Sequence, residues 1–463
     1  MISETLKWAC EAMGGRFLGS NLSARFCGVS TDTRELRAGE IFFCLVGERD
    51  GHSFAARAAD LGAACIVMDE FHQATHSALP ADAQVLVVPD TLRALGDLAR
   101  AWRRRFSIPV LAITGSNGKT TTKELTAALL RRRYRVLATE GNFNNLIGVP
   151  KTLFRLSPED EVAVVEMGMN DFGEIARLTE IAEPTFGLIT NIGAAHLEKL
   201  GGLDGVTRAK GELFAGLNPE AVAIINTTDS RLAALPVSAR VFRFGGKDTE
   251  IHGEVLPNPP GDPHPLHLRI FLGGQEMQLA MKVPGPHHLS NVLAALSVAK
   301  LLDIPPLEAR AALEAFVPSA SRMELVTLPS GRHLLDDCYN ANPTSTTAAL
   351  HTLAQLKEKN QALAILGEML ELGASSVEGH REVGRAAAKT GTDWLYAIGP
   401  HAEDILAGAR EAGFPEQRQR AFSDTETAAE ALSELPGEVK WLLVKGSRGV
   451  HLEKIVQRLK EKF

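Results

Sequence analysis

The sequence lacks several patterns that would assign it to other protein classes. Its five cysteines include no C-x-x-C pair, so neither a zinc site nor a disulfide framework is predicted, and a reduced, cytoplasmic protein is expected. No run of about 18 apolar residues occurs, so no membrane span is expected. The chain begins with an acidic residue at position 4 and no apolar segment, so no signal peptide is expected. The formal net charge of −7, without a dense lysine and arginine tract, argues against a nucleic-acid partner.

The order of apolar runs predicts an α/β protein with three domains. A length of 463 residues corresponds to about three domains of ordinary size. Short apolar runs that alternate with helical patterns predict a small N-terminal α/β module over residues 1–90, and a helix over 92–106 connects it to the rest. A central domain over 91–317 and a C-terminal Rossmann-like domain over 318–463 are predicted to follow.

The central domain alternates strands and helices, as is typical of a parallel sheet with helices on both faces. From residue 239 to 283 the pattern changes to strands with Gly and Pro turns, which predicts an antiparallel extension of the same domain. The C-terminal domain has no G-x-G-x-x-G motif, so no nucleotide of its own is predicted for it. The strands predicted in these two domains cover residues 110–114, 135–138, 162–166, 186–190, 222–226, 361–366, 394–398 and 441–444.

The most informative segment is an apolar strand that ends in Thr114-Gly-Ser-Asn-Gly-Lys-Thr-Thr121. Its glycines let the backbone curl so that N–H groups face phosphate oxygens, and the following helix adds its positive dipole end. Lys119 supplies a charge for the outer phosphates, and the Thr120 hydroxyl suits Mg²⁺. The alternative is an ordinary strand-to-helix turn. The loop departs from the usual Walker spacing, because Ile113 stands where the first glycine of G-x-x-x-x-G-K-T is expected.

Polar residues follow several predicted strands at the edge where open parallel sheets bind ligands. Glu166 ends one strand, Asn191 ends the next, and Asn226 and Asp229 follow another. Glu166 is the natural carboxylate for Mg²⁺ beside substrate phosphates, although a merely solvated strand end would give the same pattern. His196 lies just past a strand end, where the spacing is compatible with a ligand and with an ordinary loop residue.

Short motifs extend through all three predicted domains. They are Thr114-Gly-Ser-Asn-Gly-Lys-Thr-Thr-Thr-Lys-Glu124, Gly141-Asn-Phe-Asn-Asn-Leu-Ile-Gly-Val-Pro150, Glu166-Met-Gly168, Asn191-Ile-Gly-Ala-Ala-His-Leu-Glu198, Ala209-Lys-Gly-Glu212, Asp336-Asp-Cys-Tyr-Asn-Ala-Asn-Pro343, Leu366-Gly-Glu-Met-Leu-Glu-Leu-Gly373 and Val444-Lys-Gly-Ser-Arg448. In this order they resemble the motifs of the Mur ligases. The resemblance implies an ATP-dependent amide ligase of peptidoglycan precursor synthesis that joins the terminal carboxylate of UDP-N-acetylmuramoyl-tripeptide to D-alanyl-D-alanine through an acyl phosphate.

The resemblance also implies which residues bind ATP and magnesium. Thr120 and Glu166 would hold one Mg²⁺, while His196 and Lys210 would hold a second, with Lys210 carbamylated because an ammonium cannot ligate a cation. Lys119, Lys210, His196 and Glu166 form the catalytic set. Asn291 would contact adenine, Arg322 the γ-phosphate and Asp337 the ribose. The ATP-binding set is Gly115, Ser116, Asn117, Gly118, Lys119, Thr120, Thr121, Asn291, Arg322 and Asp337.

The two other substrates are assigned residues by the same resemblance. Residues resembling a uridine-binding segment are Ser30, Thr31, Asp32 and Arg34, together with 47–52. Residues resembling sugar and peptide contacts are Asn142, Asn144 and Asn145. The candidates for D-alanyl-D-alanine are Tyr339, Asn340, Asn342, Lys445, Ser447 and Arg448. Clusters rich in Asn and Gly are also what plain turns look like. A monomer that binds these small molecules is expected.

Two positions depart from the family pattern, and three other protein classes are considered as alternatives. His288 stands where the family usually has Asn, and Ser321 precedes Arg322 where it usually has Gly. Folylpolyglutamate synthase shares the phosphate loop but has no full α/β module before it. The ligase that adds the third amino acid has an Asp-Asn-Pro-Arg motif, and a guanine-nucleotide switch has Asn-Lys-x-Asp. Neither motif occurs in this chain.

Overall fold

A computed structural model of the chain describes residues 2–72, 79–259, 262, 264–432 and 435–463. Its strands form three larger sheets and one two-stranded sheet, and helices alternate with them along the chain. The predicted α/β fold class is therefore confirmed. Among the described residues, no helix has the length and apolar character needed to cross a membrane.

The N-terminal part is built on a five-stranded sheet in the order β2-β7-β6-β5-β4. Its elements are β1 (Glu4–Thr5), α1 (Leu6–Met13), β2 (Arg16–Leu18), β3 (Arg25–Phe26), β4 (Val29–Ser30), β5 (Ile41–Phe43), α2 (Ala55–Asp60), β6 (Cys65–Asp69), β7 (Val85–Val88) and α3 (Thr91–Arg103). Because side chains alternate along a strand, Ile41 and Phe43 enter the core shared with the central sheet, whereas Phe42 packs on the opposite face. Helix α3 extends this shared core, and its Trp102 packs edge-on against Trp8 of α1.

The central part contains a nine-stranded sheet in the order β16-β15-β14-β13-β12-β11-β8-β10-β9. Its strands are β8 (Val110–Thr114), β9 (Val136–Ala138), β10 (Val162–Glu166), β11 (Phe186–Ile189), β12 (Val222–Asn226), β13 (Arg240–Gly245), β14 (Ile251–Leu256), β15 (Leu266–Leu272) and β16 (Gln275–Met281). Its helices are α4 (Lys119–Leu130), α5 (Gly148–Leu153), α6 (Glu174–Ala182), α7 (Leu197–Leu200), α8 (Leu203–Ala215), α9 (Ser230–Ala233), α10 (His288–Leu301) and α11 (Pro306–Glu314). Strand β8 runs parallel to both neighbours, β10 and β11, so the loops after these three strands meet at one edge.

The predicted antiparallel extension over residues 239–283 is correct only for its second part. Strand β13 pairs parallel with β12, and antiparallel pairing begins between β14 and β15. The connection from β12 to β13 includes helix α9, which gives the chain the crossover that a parallel neighbour requires. In contrast, β15 and β16 are joined by Gly273 and Gly274, both with positive φ, which form a tight turn and reverse the strand.

The C-terminal part has a six-stranded sheet in the order β17-β18-β22-β19-β20-β21. Its elements are β17 (Glu324–Thr327), β18 (His333–Asp337), α12 (Pro343–Lys357), β19 (Gln361–Gly367), α13 (Ser376–Lys389), β20 (Trp394–Ile398), α14 (Ala402–Glu411), β21 (Gln419–Phe422), α15 (Thr425–Ala431), β22 (Val439–Lys445) and α16 (Glu453–Lys462). All pairs are parallel except β17 with β18. Buried apolar clusters cover both faces, as the Rossmann-like prediction requires.

Candidate active site

The loop between β8 and α4 has the shape of a phosphate cradle. At two of its glycines, any side chain would clash with neighbouring atoms. Gly115 has φ +146° and Gly118 has φ +76°. A Cβ on Gly115 would lie 1.8 Å from Thr190 Oγ1, and one on Gly118 would lie 2.5 Å from Asn291 Oδ1. Gly118 is the N-cap of α4 and supplies no side-chain cap, so the first N–H groups of the helix are left for a ligand.

The segment after β11 holds this loop in place. The Asn117 N–H donates to Asn191 Oδ1 at 3.0 Å, and the Thr190 hydroxyl donates to the Asn117 carbonyl at 2.6 Å. The Ser116 hydroxyl donates to the Gly193 carbonyl at 3.0 Å. The Ser116 side chain and the Asn117 backbone therefore bond to protein in this structure, and the contacts of both residues with ATP stay predictions.

Lys119 and Glu166 bring opposite charges to the cradle. The Lys119 ammonium donates to the Gly115 carbonyl at 2.7 Å. Burial lowers the pKa of Lys119, and the Glu166 carboxylate offsets part of that lowering. Glu166 is buried, and its Oε1 accepts a hydrogen bond from Asn144 Nδ2 at 2.8 Å. Its Oε2 is buried without a hydrogen-bond partner among the described residues, as is the hydroxyl of Thr114. A buried carboxylate oxygen left unpaired suits a hard cation such as Mg²⁺. Thr120 and Thr121, also predicted for this site, are buried in the first turn of α4.

Lys210 is a lysine of the site that is buried without a partner among the described residues. It lies on α8 and is 1% exposed. Burial lowers the pKa of Lys210 well below its usual range, and repulsion by Lys119 adds to the effect. Within the described part of the chain, its ammonium has neither a hydrogen bond nor an ion pair. Because burial disfavours the charged form of an amine, it favours the neutral form, which is the form that can react with CO₂.

His196 links the central and C-terminal parts. It has φ +56°, and its Nδ1 lies 2.6 Å from Glu371 Oε2. This hydrogen bond lowers the pKa of the Glu371 carboxyl. Because Nδ1 is engaged by the carboxylate, Nε2 is the nitrogen left to bind a cation. Two backbone features support the contact: the Glu198 N–H donates to the Glu371 carbonyl at 3.4 Å, and Gly373 packs against Glu198.

Of the residues predicted to contact the nucleoside, Asn291 lies beside Gly118 of the cradle, and both Asn291 and Asp337 are engaged with protein. Asn291 is buried on α10, with its Oδ1 3.3 Å from the Thr122 hydroxyl. His288, one turn earlier, is buried and lies 3.4 Å from the Asn291 amide nitrogen. Asp337 Oδ2 accepts a hydrogen bond from the Lys445 ammonium at 2.6 Å. Adenine and ribose contacts therefore stay predictions.

Arg322 reaches the site from the linker before β17. Its positive charge adds to the lowering of the Lys119 pKa, and its guanidinium stacks 3.9 Å from the centroid of the Tyr339 ring. Ser321 has φ +60°, a conformation that favours glycine, the residue that the family resemblance leads us to expect here. The Ser321 hydroxyl donates to Asp336 Oδ2 at 3.1 Å, and this bond helps to hold the turn.

Five of the six candidates for D-alanyl-D-alanine gather at the carboxyl ends of β18 and β22. The Lys445 ammonium donates to the Asn340 carbonyl at 3.0 Å, and Arg448 lies over the Tyr339 ring. Ser447 Oγ accepts a hydrogen bond from the Leu370 N–H at 2.9 Å. The sixth has a different environment: Asn342 caps α12 and donates from Nδ2 to Asn117 Oδ1 at 2.7 Å, so it joins the C-terminal part to the phosphate loop.

The candidates for the UDP-linked substrate form turns. Ser30 and Thr31 lead into a turn where Arg34 pairs with Asp32 at 2.5 Å, and this bond lowers the pKa of Asp32 to about 2. Further along, Asn145 Oδ1 accepts from the Gly148 N–H at 2.8 Å at the start of α5, and Asn142 is exposed. Asn144, as described above, contacts Glu166. Substrate contacts of all these residues stay predictions.

In the segment 47–52, His52 points inward. Its Nδ1 lies 2.7 Å from Asp50 Oδ1, and its Nε2 accepts from the Asp69 N–H at 3.2 Å. The ring stacks on that of His72 with centroids 3.9 Å apart. The Nε2 atom of His72 lies 3.0 Å from Asp50 Oδ2, so Asp50, His52 and His72 bring three possible ligand atoms close together. These hydrogen bonds tie the segment to the end of β6, and its contact with uridine stays a prediction.

Three functional contacts of the site are absent from the predictions. These are the bond between Glu371 and His196, the bond between Asn342 and Asn117, and the position of Lys123 at 3.9 Å from Glu166 Oε2. The first two join distant parts of the chain, so no local pattern indicates them. Lys123 could have been found, because it follows Lys119 by four residues on one helix and such residues share a face.

Comparisons with known proteins match all three parts of the chain. The chain matches the families described as Mur ligase family, catalytic domain over residues 25–103, Mur ligase middle domain over 113–299, and Mur ligase, glutamate ligase domain over 321–448. It is 35% identical to the UDP-N-acetylmuramoyl-tripeptide–D-alanyl-D-alanine ligase of Escherichia coli (strain K12), covering 100% of this chain and 99% of the relative.

Two solved structures are similar to the chain as a whole. One is MurF from Acinetobacter baumannii, with a TM-score of 0.89, 30% identity and 100% of both chains covered. The other is the MurF ligase from Thermotoga maritima in complex with ADP, with a TM-score of 0.82, 26% identity, and 94% of this chain and 97% of that chain covered.

Proposed function

The chain belongs to the Mur ligase family, and from that premise we infer its reaction. It is an ATP-dependent ligase of peptidoglycan precursors that joins D-alanyl-D-alanine to UDP-N-acetylmuramoyl-tripeptide. The observation that carries this conclusion is the phosphate cradle of β8 and α4 beside a buried carboxylate, Glu166, with one oxygen left unpaired.

The chemistry explains why such a site is needed. A carboxylate at neutral pH is a poor electrophile, so it must first accept the γ-phosphoryl group. An oxygen of the carboxylate bonds to the γ-phosphorus, the bond from that phosphorus to its bridging oxygen breaks, and ADP leaves. The amine of D-alanyl-D-alanine then attacks the acyl carbon, and phosphate leaves. The first step brings two anions together, which only concentrated positive charge makes favourable.

Chain residues supply part of that charge. Lys119 compensates the outer phosphates, and Arg322 approaches the same region from the C-terminal part. The uncapped start of α4 adds N–H donors and the positive end of its dipole. These roles are proposals that rest on the geometry described above.

Magnesium is proposed as the remaining source of positive charge. Thr120 and Glu166 would hold one ion, and His196 with carbamylated Lys210 would hold the other. The unpaired oxygen of Glu166 and the unpaired amine of Lys210 fit these assignments. When bound, magnesium neutralises phosphate oxygens.

Substrate contacts, domain boundaries and cell biology stay proposals. We propose that residues 1–90 bind the UDP end, that 91–317 bind ATP, and that 318–463 bind D-alanyl-D-alanine and close on ATP. The separate sheets of the three parts support this division. A monomer in the cytoplasm stays the expectation.

ADP release tests the reaction directly. With purified protein, ATP and Mg²⁺, release should require both UDP-N-acetylmuramoyl-tripeptide and D-alanyl-D-alanine. Replacing the tripeptide with the dipeptide precursor and adding lysine or diaminopimelate is the control for the ligase of the preceding step. Release with folate and glutamate, or without any acceptor amine, would contradict the proposed function.

A further inference from the structure

Lys123 is a buried cation of the active site to which the reaction has so far given no task. It lies on α4 one turn after Lys119, about 6 Å further along the helix axis. Its side chain is 4% exposed. A lysine buried to this degree is normally paired, because an ammonium removed from water needs hydrogen-bond acceptors.

The Lys123 ammonium has no hydrogen-bond acceptor within the described residues. The nearest carboxylate oxygens are Glu124 Oε1 at 3.8 Å and Glu166 Oε2 at 3.9 Å. Both carboxylates have other hydrogen bonds: Glu124 accepts from the Ser319 hydroxyl, and Glu166 accepts from Asn144. The Lys123 ammonium is therefore attracted by these groups without being bonded to them.

The side chain also lines an open cleft of about 890 Å³ between α4, β9 and the end of α11. Thr139, Glu140 and Gly141 form the neighbouring wall, and Gly141 leads directly into the loop that contains Asn144. An ammonium without a hydrogen-bond acceptor among the described residues, a route from solvent and the loop that contains Asn144 therefore lie close together.

We propose that Lys123 binds the terminal carboxylate of the peptide substrate, the group that receives the phosphoryl group. This inference rests on the proposed function. Lys119 bonds to the loop at Gly115, on the phosphate side, whereas Lys123 lies on the side of Glu166 and Asn144. In the first step, Lys119 thus binds the phosphates of ATP, and Lys123 binds the terminal carboxylate of the peptide.

Electrostatics supports an anion at this position. If Glu166 holds a divalent cation, its negative charge no longer balances the Lys123 ammonium, and two positive groups lie close together in a buried site. A carboxylate between them removes this repulsion and completes the hydrogen bonding of Lys123.

Binding without turnover tests the proposal. Calorimetry compares UDP-N-acetylmuramoyl-tripeptide with its analogue in which the terminal carboxylate is a carboxamide, in the absence of ATP. The wild type should bind the acid about 10- to 100-fold more tightly, as a charge-assisted hydrogen bond implies. In Lys123→Met this preference should fall to about twofold or less, while affinity for the carboxamide stays within about twofold of wild type.

Arg131→Met is the matched control, because Arg131 lies just after α4, lines the same cleft and is exposed. It should keep the wild-type preference for the acid. Lys123→Gln, a smaller change, gives the same comparison if the Met variant does not fold. A preference for the acid that survives both Lys123 substitutions overturns the proposal. The proposal is also overturned if the Lys123 variants lose as much affinity for a non-hydrolysable ATP analogue as for the acid, since that result would assign Lys123 to the phosphates. If the wild type binds neither peptide ligand, the proposed function itself has failed.

Discussion

Replacing Lys210 by methionine should raise stability and lower activity at the same time. The amine is 1% exposed and has no partner among the described residues. Methionine fills a similar volume without a polar group. A buried polar group without a hydrogen bond costs about 1–3 kcal/mol, so removing it should raise the free energy of unfolding by an amount within that range.

The gain should depend on pH, with a sign that follows from the lowered pKa of Lys210. In the unfolded chain the amine keeps its proton up to its usual value of 10.5, whereas in the folded protein it loses the proton at lower pH. Between these values the unfolded state binds more protons, so wild-type stability rises with pH. The variant lacks this slope. Its advantage should be greatest in acid and should shrink as the pH approaches 10.5.

Activity should change in the opposite direction. Loss of a residue that only orients a metal ligand lowers metal affinity or activity by about 10- to 100-fold. Loss of the carbamate ligand itself should therefore lower kcat by about 100-fold or more. Short carboxylates added to Lys210→Ala should restore part of the rate.

Urea unfolding of wild type and Lys210→Met in CO₂-free buffer, at about pH 6.5 and about pH 9.5, measures the stability part. Lys247→Met, at an exposed lysine of the same sheet region, is the control and should change nothing. Equal stability of wild type and Lys210→Met at both pH values would refute the reasoning about burial. Unimpaired turnover of that variant would refute the ligand role.

Three other substitutions or states have expected outcomes. Lys119→Ala should abolish turnover and leave the circular dichroism spectrum unchanged, because its task is charge compensation; wild-type rates would remove the loop from the mechanism. Glu371→Ala should lower kcat by about 10- to 100-fold through loss of His196 orientation. Its unfolding should shift by less than about 1 kcal/mol, since Glu371 is 54% exposed; an equal kinetic effect of Glu382→Gln, an exposed control, would contradict this. Small-angle scattering should show a smaller radius of gyration with UDP-N-acetylmuramoyl-tripeptide and a non-hydrolysable ATP analogue, and identical curves would count against closure.

Most of the central sheet could be predicted because its strands are continuous apolar runs. Strands β8, β10 and β12 are buried along their whole length, which leaves an unmistakable pattern. Strand β18 contains a histidine and two aspartates, and β21 is half exposed, so both escape a search for apolar runs. The direction of β13 was predicted wrongly because strand direction is set by the connection and not by the strand's own residues.

In the candidate site, too, some residues could be predicted from the sequence and others could not. The cradle glycines and Glu166 could be predicted because each has a fixed place relative to a strand end. The bonds from Asn342 to Asn117 and from Glu371 to His196 could not, since each joins residues that only the packing of the C-terminal sheet brings together. The burial of Lys210 was also not evident, because Arg208 and Glu212 lie two residues away on either side and make this part of the helix look polar.

The central claim is that the peptide's terminal carboxylate captures the phosphoryl group before the amide forms. Oxygen-18 placed in that carboxylate tests it most directly. If an acyl phosphate forms, each inorganic phosphate released when the amine attacks carries one labelled oxygen, because the bond that breaks joins the acyl carbon to an oxygen that came from the carboxylate. Unlabelled phosphate, released in step with amide formation, would contradict the account.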